Sequence, residues 1–211
     1  MSKTAVILAD GSFPEHEIPL GLLRNADHII CCDGSTENLI KAGMTPEAVV
    51  GDLDSLGKEL AERFSDRLFK DESQETNDLT KAVSWCIKRG FRKIIILGAT
   101  GKREDHTIGN ISLLAEFSRE INVTIVTDTG TLIPLYESSE IASFPGQQVS
   151  VFSLDPEAEI SSKGLKYELQ RLKLHSWWRA TLNEATGSSF GLLFEGGPLI
   201  IYQKFRDNQS E

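Results

Sequence analysis

Ala48-Val49-Val50-Gly51-Asp52-Leu53-Asp54-Ser55 joins a short apolar run to a cluster of glycine, acid and hydroxyl residues. The apolar half reads as a buried strand, because it is continuous rather than alternating. The polar half reads in two ways. Gly, Asp and Ser are the ordinary residues of a turn after a strand. Two carboxylates two positions apart in extended chain also point the same way, about 6–7 Å apart along the strand, and can share one hard cation or its waters. Gly51 would let a ligand approach the backbone.

The arrangement recurs. Thr4–Ala9 precedes Asp10-Gly11-Ser12, His28–Cys32 precedes Asp33-Gly34-Ser35, and Lys93–Leu97 precedes Gly98-Ala99-Thr100-Gly101. Between the strands the sequence predicts helices: Glu17–Asn25 with Pro19 in its first turn, one capped by Ser35 and running to Ala42, Lys58–Phe64, Asp78–Arg89, and Thr107–Glu120. Val123–Thr127 closes the series as a strand. Short apolar strands alternating with amphipathic helices predict an α/β fold with a parallel sheet covered on both faces. Ligands of such sheets bind at the carboxyl ends of the strands, and all four polar turns fall on that rim. Turns of the other rim, such as Ala26-Asp27 and Arg92-Lys93, carry no comparable cluster. The asymmetry favours a site at Asp52 and Asp54.

After Thr127 the pattern changes to short runs separated by turn signals: Thr131–Glu137, Glu140–Phe144, Gln148–Leu154, Ala158–Ser161, Lys166–Gln170, Gly191–Glu195 and Leu199–Phe205. This predicts an all-β second domain, a sandwich or partial barrel. The boundary is placed so that residues 1–128 form the α/β domain and 129–211 the β domain.

The net charge of −9 disfavours nucleic acid or an anionic membrane as the main partner. No apolar run reaches membrane-spanning length, and the opening Met1-Ser2-Lys3-Thr4 leads straight into a strand, so no leader is expected. The three cysteines, Cys31, Cys32 and Cys86, sit inside apolar runs without a CxxC or Cys/His cluster. Buried free thiols in a reducing, cytoplasmic compartment are the expectation.

The acids on the active rim are Asp33, Asp52, Asp54, Asp78 and Asp105. Carboxylates without His or Cys beside them suit Mg²⁺ better than zinc. Asp78 also fits the first turn of a helix, where an acid complements the dipole and Thr76 can cap. Gly98–His106 can hold phosphate through backbone N–H groups, with Lys102 and Arg103 adding charge. It is no Walker A motif, since only two residues separate its glycines and Arg103 stands where Ser or Thr should. His106 reads either as an acid/base group or, the favoured reading, as a helix-start residue bonded to Asp105 or to backbone. No Ser/His/Asp or Cys/His set suggests a nucleophilic enzyme. Trp85 reads as core, and of Trp177-Trp178 in a strand, one should pack inside and the other cover a ligand or a partner.

The ordered set Cys32–Ser35 (CDGS), Gly51–Ser55 (GDLDS), Gln74–Asp78 (QETND) and Gly98–Asn110 (GATGKREDHTIGN), followed by a β domain, resembles the thiamine pyrophosphokinase family. The resemblance covers nearly the whole chain. It implies an ATP-binding catalytic α/β domain, a β-sandwich domain, and a homodimer with thiamine at the subunit interface. It implies Mg²⁺-dependent transfer of pyrophosphate from ATP to the thiamine hydroxyl, giving thiamine diphosphate and AMP. In this reading Asp52, Asp54 and Asp78 hold Mg²⁺, Arg103 neutralises phosphate charge, and Asp105 positions groups or acts as a base. Asp33, Gly34, Gln74, Asn77, Gly98, Thr100, Lys102, His106 and Asn110 surround the nucleotide and its phosphates. Thr181 and Asn183, with Trp177 or Trp178 stacking on a cationic ring, lie on the thiamine side. The chain departs from the family in having Asn77-Asp78 for Thr-Asp and Leu182-Asn183 for Ser-Asn. Ile200-Ile201 occupies the last strand, where some members place a stacking tryptophan. Two alternatives share the residues: a metal-dependent glycosyltransferase using Asp52-Leu53-Asp54 as a DxD motif, and a non-catalytic nucleotide-binding module.

Overall fold

The structure, a computed structural model, describes residues 3–73 and 75–206. Two compact units meet in sequence between Asp128 and Thr129.

The first unit contains β1 (Thr4–Leu8), α1 (Glu17–Arg24), β2 (Ile29–Cys32), α2 (Thr36–Lys41), β3 (Ala48–Gly51), α3 (Lys58–Arg63), β4 (Leu68–Lys70), α4 (Asp78–Lys88), β5 (Lys93–Leu97), α5 (Glu104–Phe117) and β6 (Asn122–Val126). Its strands order as β6-β5-β1-β2-β3-β4, and each neighbouring pair is parallel. The connection order reverses at β1, whose neighbours are β2 and β5. Such a switch point leaves a crevice outside the strands' carboxyl ends. The central strands are buried along their length, as continuous apolar runs require.

Local chemistry refines several expectations. Ser35 does not cap α2; it lies in a 3₁₀ turn, Asp33–Ser35, and its hydroxyl shares its one proton between the carbonyls of Leu8 and Cys32, both at 2.7 Å. That pair of bonds ties the end of β1 to the end of β2. Asn77, not Thr76, caps α4, accepting from the Thr80 N–H at 2.9 Å. Helix α5 begins at Glu104, three residues before the predicted start. Trp85 is half-buried rather than core, its ring between Phe69 (5.0 Å) and Phe91 (6.4 Å).

The loops after β1 and β5 are laced together. Ala9 N–H donates to Leu97 O (2.8 Å), Gly11 N–H to Gly98 O (2.6 Å) and Ser12 N–H to Thr100 O (2.7 Å). A side chain on Gly11 would run into the carbonyl oxygens of Gly98 and Thr100. Glycine is required here for close approach of two backbones.

The second unit is built from β7 (Gly130–Leu135), β8 (Ser139–Ala142), β9 (Gln148–Ser153), β10 (Glu159–Lys163), β11 (Leu172–Lys173), β12 (Asn183–Glu184), β13 (Ser189–Glu195) and β14 (Leu199–Lys204). They form two antiparallel sheets, β12-β9-β14-β7 and β11-β10-β13-β8. Alternate residues such as Val149 and Val151, Leu199 and Ile201, and Phe190, Leu192 and Phe194 share one apolar core. This is a β-sandwich. The predicted strand at Lys166–Gln170 is instead a loop, folded back on β10 through Glu168. The Glu168 carboxylate accepts from Ser162 Oγ (2.6 Å) and Gly164 N–H (2.7 Å). Among the described residues, no helix is long and apolar enough to cross a membrane.

All three cysteines are free and buried. Burial pushes the Cys31 and Cys86 thiols up to about 12 and raises Cys32 as well. Thiolates are the reactive form, so at pH 8 the native protein should scarcely react with a thiol reagent. Titration with a chromogenic disulfide should count close to no thiol in the folded chain and all three after guanidinium unfolding. Rapid labelling of the native chain would contradict this environment.

Candidate active site

The carboxyl ends of β1, β2, β3 and β5 and the starts of α4 and α5 enclose a cleft of about 490 Å³. Of the expected residues, Asp33, Asp52, Asn77, Asp78, Thr100, Lys102, Arg103, His106 and Asn110 line it. Carboxylate oxygens of Asp33, Asp52 and Asp78 lie within 4.8 Å of one another.

This trio differs from the expected one: Asp33 takes the place of Asp54. The reason is local backbone geometry. Strand β3 ends at Gly51, and Leu53 sits in the left-handed region with φ 66°, so Asp52–Ser55 is a turn in which period-two alternation does not apply. Asp54 is exposed, and its N–H donates to Asp52 Oδ1 (3.1 Å), fixing that carboxylate within the turn. Gly51 also acts differently from the expectation. What approaches its Cα is the Asp33 side chain, which a Cβ there would meet at 3.0 Å. Glycine thus makes room for the buried acid.

Asp33 is 4% exposed. Its carboxylate accepts from Gly34 N–H (2.6 Å) and Ser55 N–H (3.4 Å). Burial foremost, then the Asp78 and Asp52 charges, raise its pKa against those two bonds. Three acids so close leave negative charge in search of a cation. Their donor set is all carboxylate oxygen, which fits a hard divalent ion such as Mg²⁺.

Cations line the cleft as well. Arg103 grips Asp105 with two bonds, Nε to Oδ1 at 3.0 Å and Nη2 to Oδ2 at 2.5 Å. Asp105 Oδ1 also accepts the His106 N–H at 2.9 Å. These bonds, the Arg103 one foremost, hold the Asp105 pKa down to about 2. Both carboxylate oxygens of Asp105 are thus engaged in holding Arg103 and the start of α5. Lys102 Nζ donates to Asp10 Oδ1 at 2.8 Å. A chain of amides braces the helix starts: Asn77 Nδ2 donates to Asn110 Oδ1 (3.2 Å), and Asn110 Nδ2 to the Ala99 carbonyl (2.9 Å). Gly34 and Gly98 shape the rim through backbone, and Gln74 lies outside the described residues.

Sequence reading missed two charged residues of the cleft. Asp10 was visible only as part of a polar turn. Lys81 lines the cleft and pairs with Asp78, Nζ to Oδ1 at 3.1 Å. Its i,i+3 spacing from Asp78 was the available signal.

In the second unit, Trp177–Ala180 is a 3₁₀ helix, not a strand, so alternate facing of the two tryptophans does not hold. Trp177 is 41% exposed, its ring edge-on to Phe152 at 5.9 Å, and Trp178 is 74% exposed. Neither is a core residue. Thr181 Oγ1 donates to the Trp178 carbonyl (2.8 Å). Asn183 is buried, with its amide committed to the backbone N–H (3.1 Å) and carbonyl (2.7 Å) of Tyr167.

Family models match both units. The thiamin pyrophosphokinase catalytic domain matches residues 20–126, and the thiamin pyrophosphokinase substrate-binding domain matches residues 130–202. The chain belongs to the thiamin pyrophosphokinase family. A thiamine pyrophosphokinase of Bacillus subtilis is 34% identical over 214 residues, covering 94% of this chain and 97% of that one. Thiamin pyrophosphokinase 1 of Caenorhabditis elegans is 26% identical over 183 residues, covering 79% and 75%. Among solved structures, thiamin pyrophosphokinase from Candida albicans superimposes with a TM-score of 0.81 at 16% identity, over 97% of this chain and 90% of that one. The enzyme from Geobacillus thermodenitrificans gives 0.77 at 24%, over 97% and 99%. At such identities these two likenesses speak for the fold. The thiamin pyrophosphokinase family assignment leaves the glycosyltransferase and the non-catalytic module without support.

The Asp33–Gly51 fit predicts a sensitive position. Gly51→Ala should displace the Asp33 carboxylate and cost about 1–3 kcal/mol of stability, as overpacking does. Urea unfolding measures that cost. Unchanged stability would show that the two residues are not in tight contact.

Proposed function

We propose that this protein is a thiamine diphosphokinase that transfers pyrophosphate from ATP to thiamine with Mg²⁺. The observation that carries the reading is the convergence of the Asp33, Asp52 and Asp78 oxygens in one cleft that Lys102 and Arg103 also line. Asp33, Asp52 and Asp78 would hold the divalent ion, with Asp54 beside them on the same turn. When bound, the ion would draw electron density from phosphate oxygens and neutralise their charge. In the balanced reaction the thiamine hydroxyl oxygen bonds to the β-phosphorus of ATP. The bond from that phosphorus to the α–β bridging oxygen breaks, AMP leaves with the bridging oxygen, and the hydroxyl proton passes to solvent. Such transfer needs aligned groups and charge neutralisation rather than a covalent enzyme group.

The residues divide the work accordingly. Asp105 keeps the Arg103 guanidinium extended as a two-pronged donor suited to phosphate oxygens. Lys102 exchanges Asp10 for phosphate. Gly34, Asn77, Gly98, Thr100, His106 and Asn110 bound the nucleotide region, with Gln74 assigned there by family resemblance. Trp177, Trp178, Thr181 and Asn183 are assigned to thiamine. The exposed tryptophans offer aromatic faces to a cationic ring, whereas Asn183 would act through the Tyr167 backbone it holds. A homodimer, which the family resemblance implies, would cover some of the apolar side chains that the second unit exposes, such as Tyr167, Leu182 and Leu193. Three free buried thiols support a cytoplasmic location.

Incubation with ATP, Mg²⁺ and thiamine should yield equal amounts of AMP and thiamine diphosphate; neither product would refute the proposal. Asp52→Asn and Asp78→Asn should each lower turnover by about 10²–10³, the size expected for losing one transition-state electrostatic contact, with native circular dichroism retained. Near-normal turnover in both would remove the metal assignment. Sedimentation velocity should find a dimer, and an active monomer would exclude the interface site.

A further inference from the structure

Among the described residues, Lys81 is the one lysine or arginine that is buried. Its side chain is 3% exposed and lies in the cleft that Asp33, Asp52 and Asp78 line. The ammonium is 3.1 Å from Asp78 Oδ1, one of the three converging carboxylates. Burying an ammonium is unfavourable unless its charge is used, and an uncharged side chain of similar length would fill the same space on α4. The position therefore calls for an electrostatic role.

We propose that Lys81 tunes the carboxylate trio against the bare divalent ion and in favour of the ion carried on a polyphosphate. The inference rests on the reading of Asp33, Asp52 and Asp78 as the ion's ligands. A fixed positive charge in this group competes with a free cation for Asp78 and repels it. The same charge attracts the several negative charges of a nucleotide triphosphate. The other lysine and arginine that line the cleft are exposed and paired elsewhere, Lys102 with Asp10 and Arg103 with Asp105. Among the described residues, Lys81 is the one lysine or arginine lining the cleft that is paired with a member of the trio, Asp78. Its two effects oppose each other, so the empty site discriminates between the ion and the complex before any chemistry begins. Lys81 is a positioning residue in this account: it sets which charged species the carboxylates accept.

The test is binding, not turnover. Calorimetric titrations with MgCl₂ alone, and with Mg²⁺ plus α,β-methylene-ATP, compare the full chain with Lys81→Met, Lys81→Gln and Lys81→Arg. A unit charge a few ångströms from a divalent ion changes affinity by about tenfold or more at protein-like dielectric. Both neutral variants should bind bare Mg²⁺ about tenfold tighter and the Mg²⁺–nucleotide about tenfold more weakly, whereas Lys81→Arg should stay within about threefold of the parent on both. Two neutral variants keep the comparison available should one fail to fold, which thermal melting reveals. Bare-ion binding that is unchanged or weaker in the neutral variants overturns the proposal, as does undiminished binding of the complex. Asp52→Asn separates the two layers. If the parent chain does not bind the Mg²⁺–nucleotide, or Asp52→Asn binds it equally well, the metal reading itself falls. If Asp52→Asn loses binding but the Lys81 variants match the parent, only the role of Lys81 falls.

Discussion

Like charges held at close range are the constraint on which the catalytic unit depends. Three carboxylates with oxygens within 4.8 Å of one another repel, and nothing in an apolar core would gather them spontaneously. The fold supplies the opposing work. Asp33 follows β2, Asp52 follows β3 and Asp78 opens α4, so each acid stands at the end of an element whose apolar body is anchored in the sheet. Burial of Ile30, Cys31, Val49, Val50, Leu79 and Val83 holds those ends in place. The repulsion remains as a poised demand for positive charge, met partly by Lys81 and left otherwise to a ligand.

The parallel sheet was legible because its strands are continuous apolar runs and its polar turns recur on one rim. What escaped was structure without such a run. Strand β4 is three residues at the sheet edge, and β11 and β12 are two residues each, so pairing with a neighbour rather than local pattern creates them. The site was legible as a set of acids and cations, but the partition within it was not. Asp54 left the trio because Leu53 turns left-handed, and Asp33 entered because Gly51 makes room for it. Both are tertiary facts that no periodicity records. Lys81 was hidden by its ordinariness: a lysine on a helix reads as solvent-facing until its burial is seen.

The β-sandwich shows the same division. Short runs parted by turn signals announced an all-β unit, and within it Val149, Val151, Phe190, Leu192, Phe194, Leu199 and Ile201 form the core. Irregular stretches resisted. Trp177 and Trp178 entered a 3₁₀ turn, where successive side chains fan around the axis instead of alternating. Asn183 carries polar chemistry inward, bridging the backbone of Tyr167, where a surface role was the natural expectation.

The lacing of the β1 and β5 loops has a wider bearing. Because the Gly11 and Ser12 amides are spent on the carbonyls of Gly98 and Thr100, the backbone facing the cations is an extension of the sheet rather than a hanging loop. Little conformational freedom is left there to surrender when an anion docks, so affinity is not eroded by ordering. The two segments are also bound as one heritable unit: a residue inserted in either would unzip the other. An insertion in one loop would therefore shift the backbone of both, whereas a side-chain change on either leaves the lacing intact.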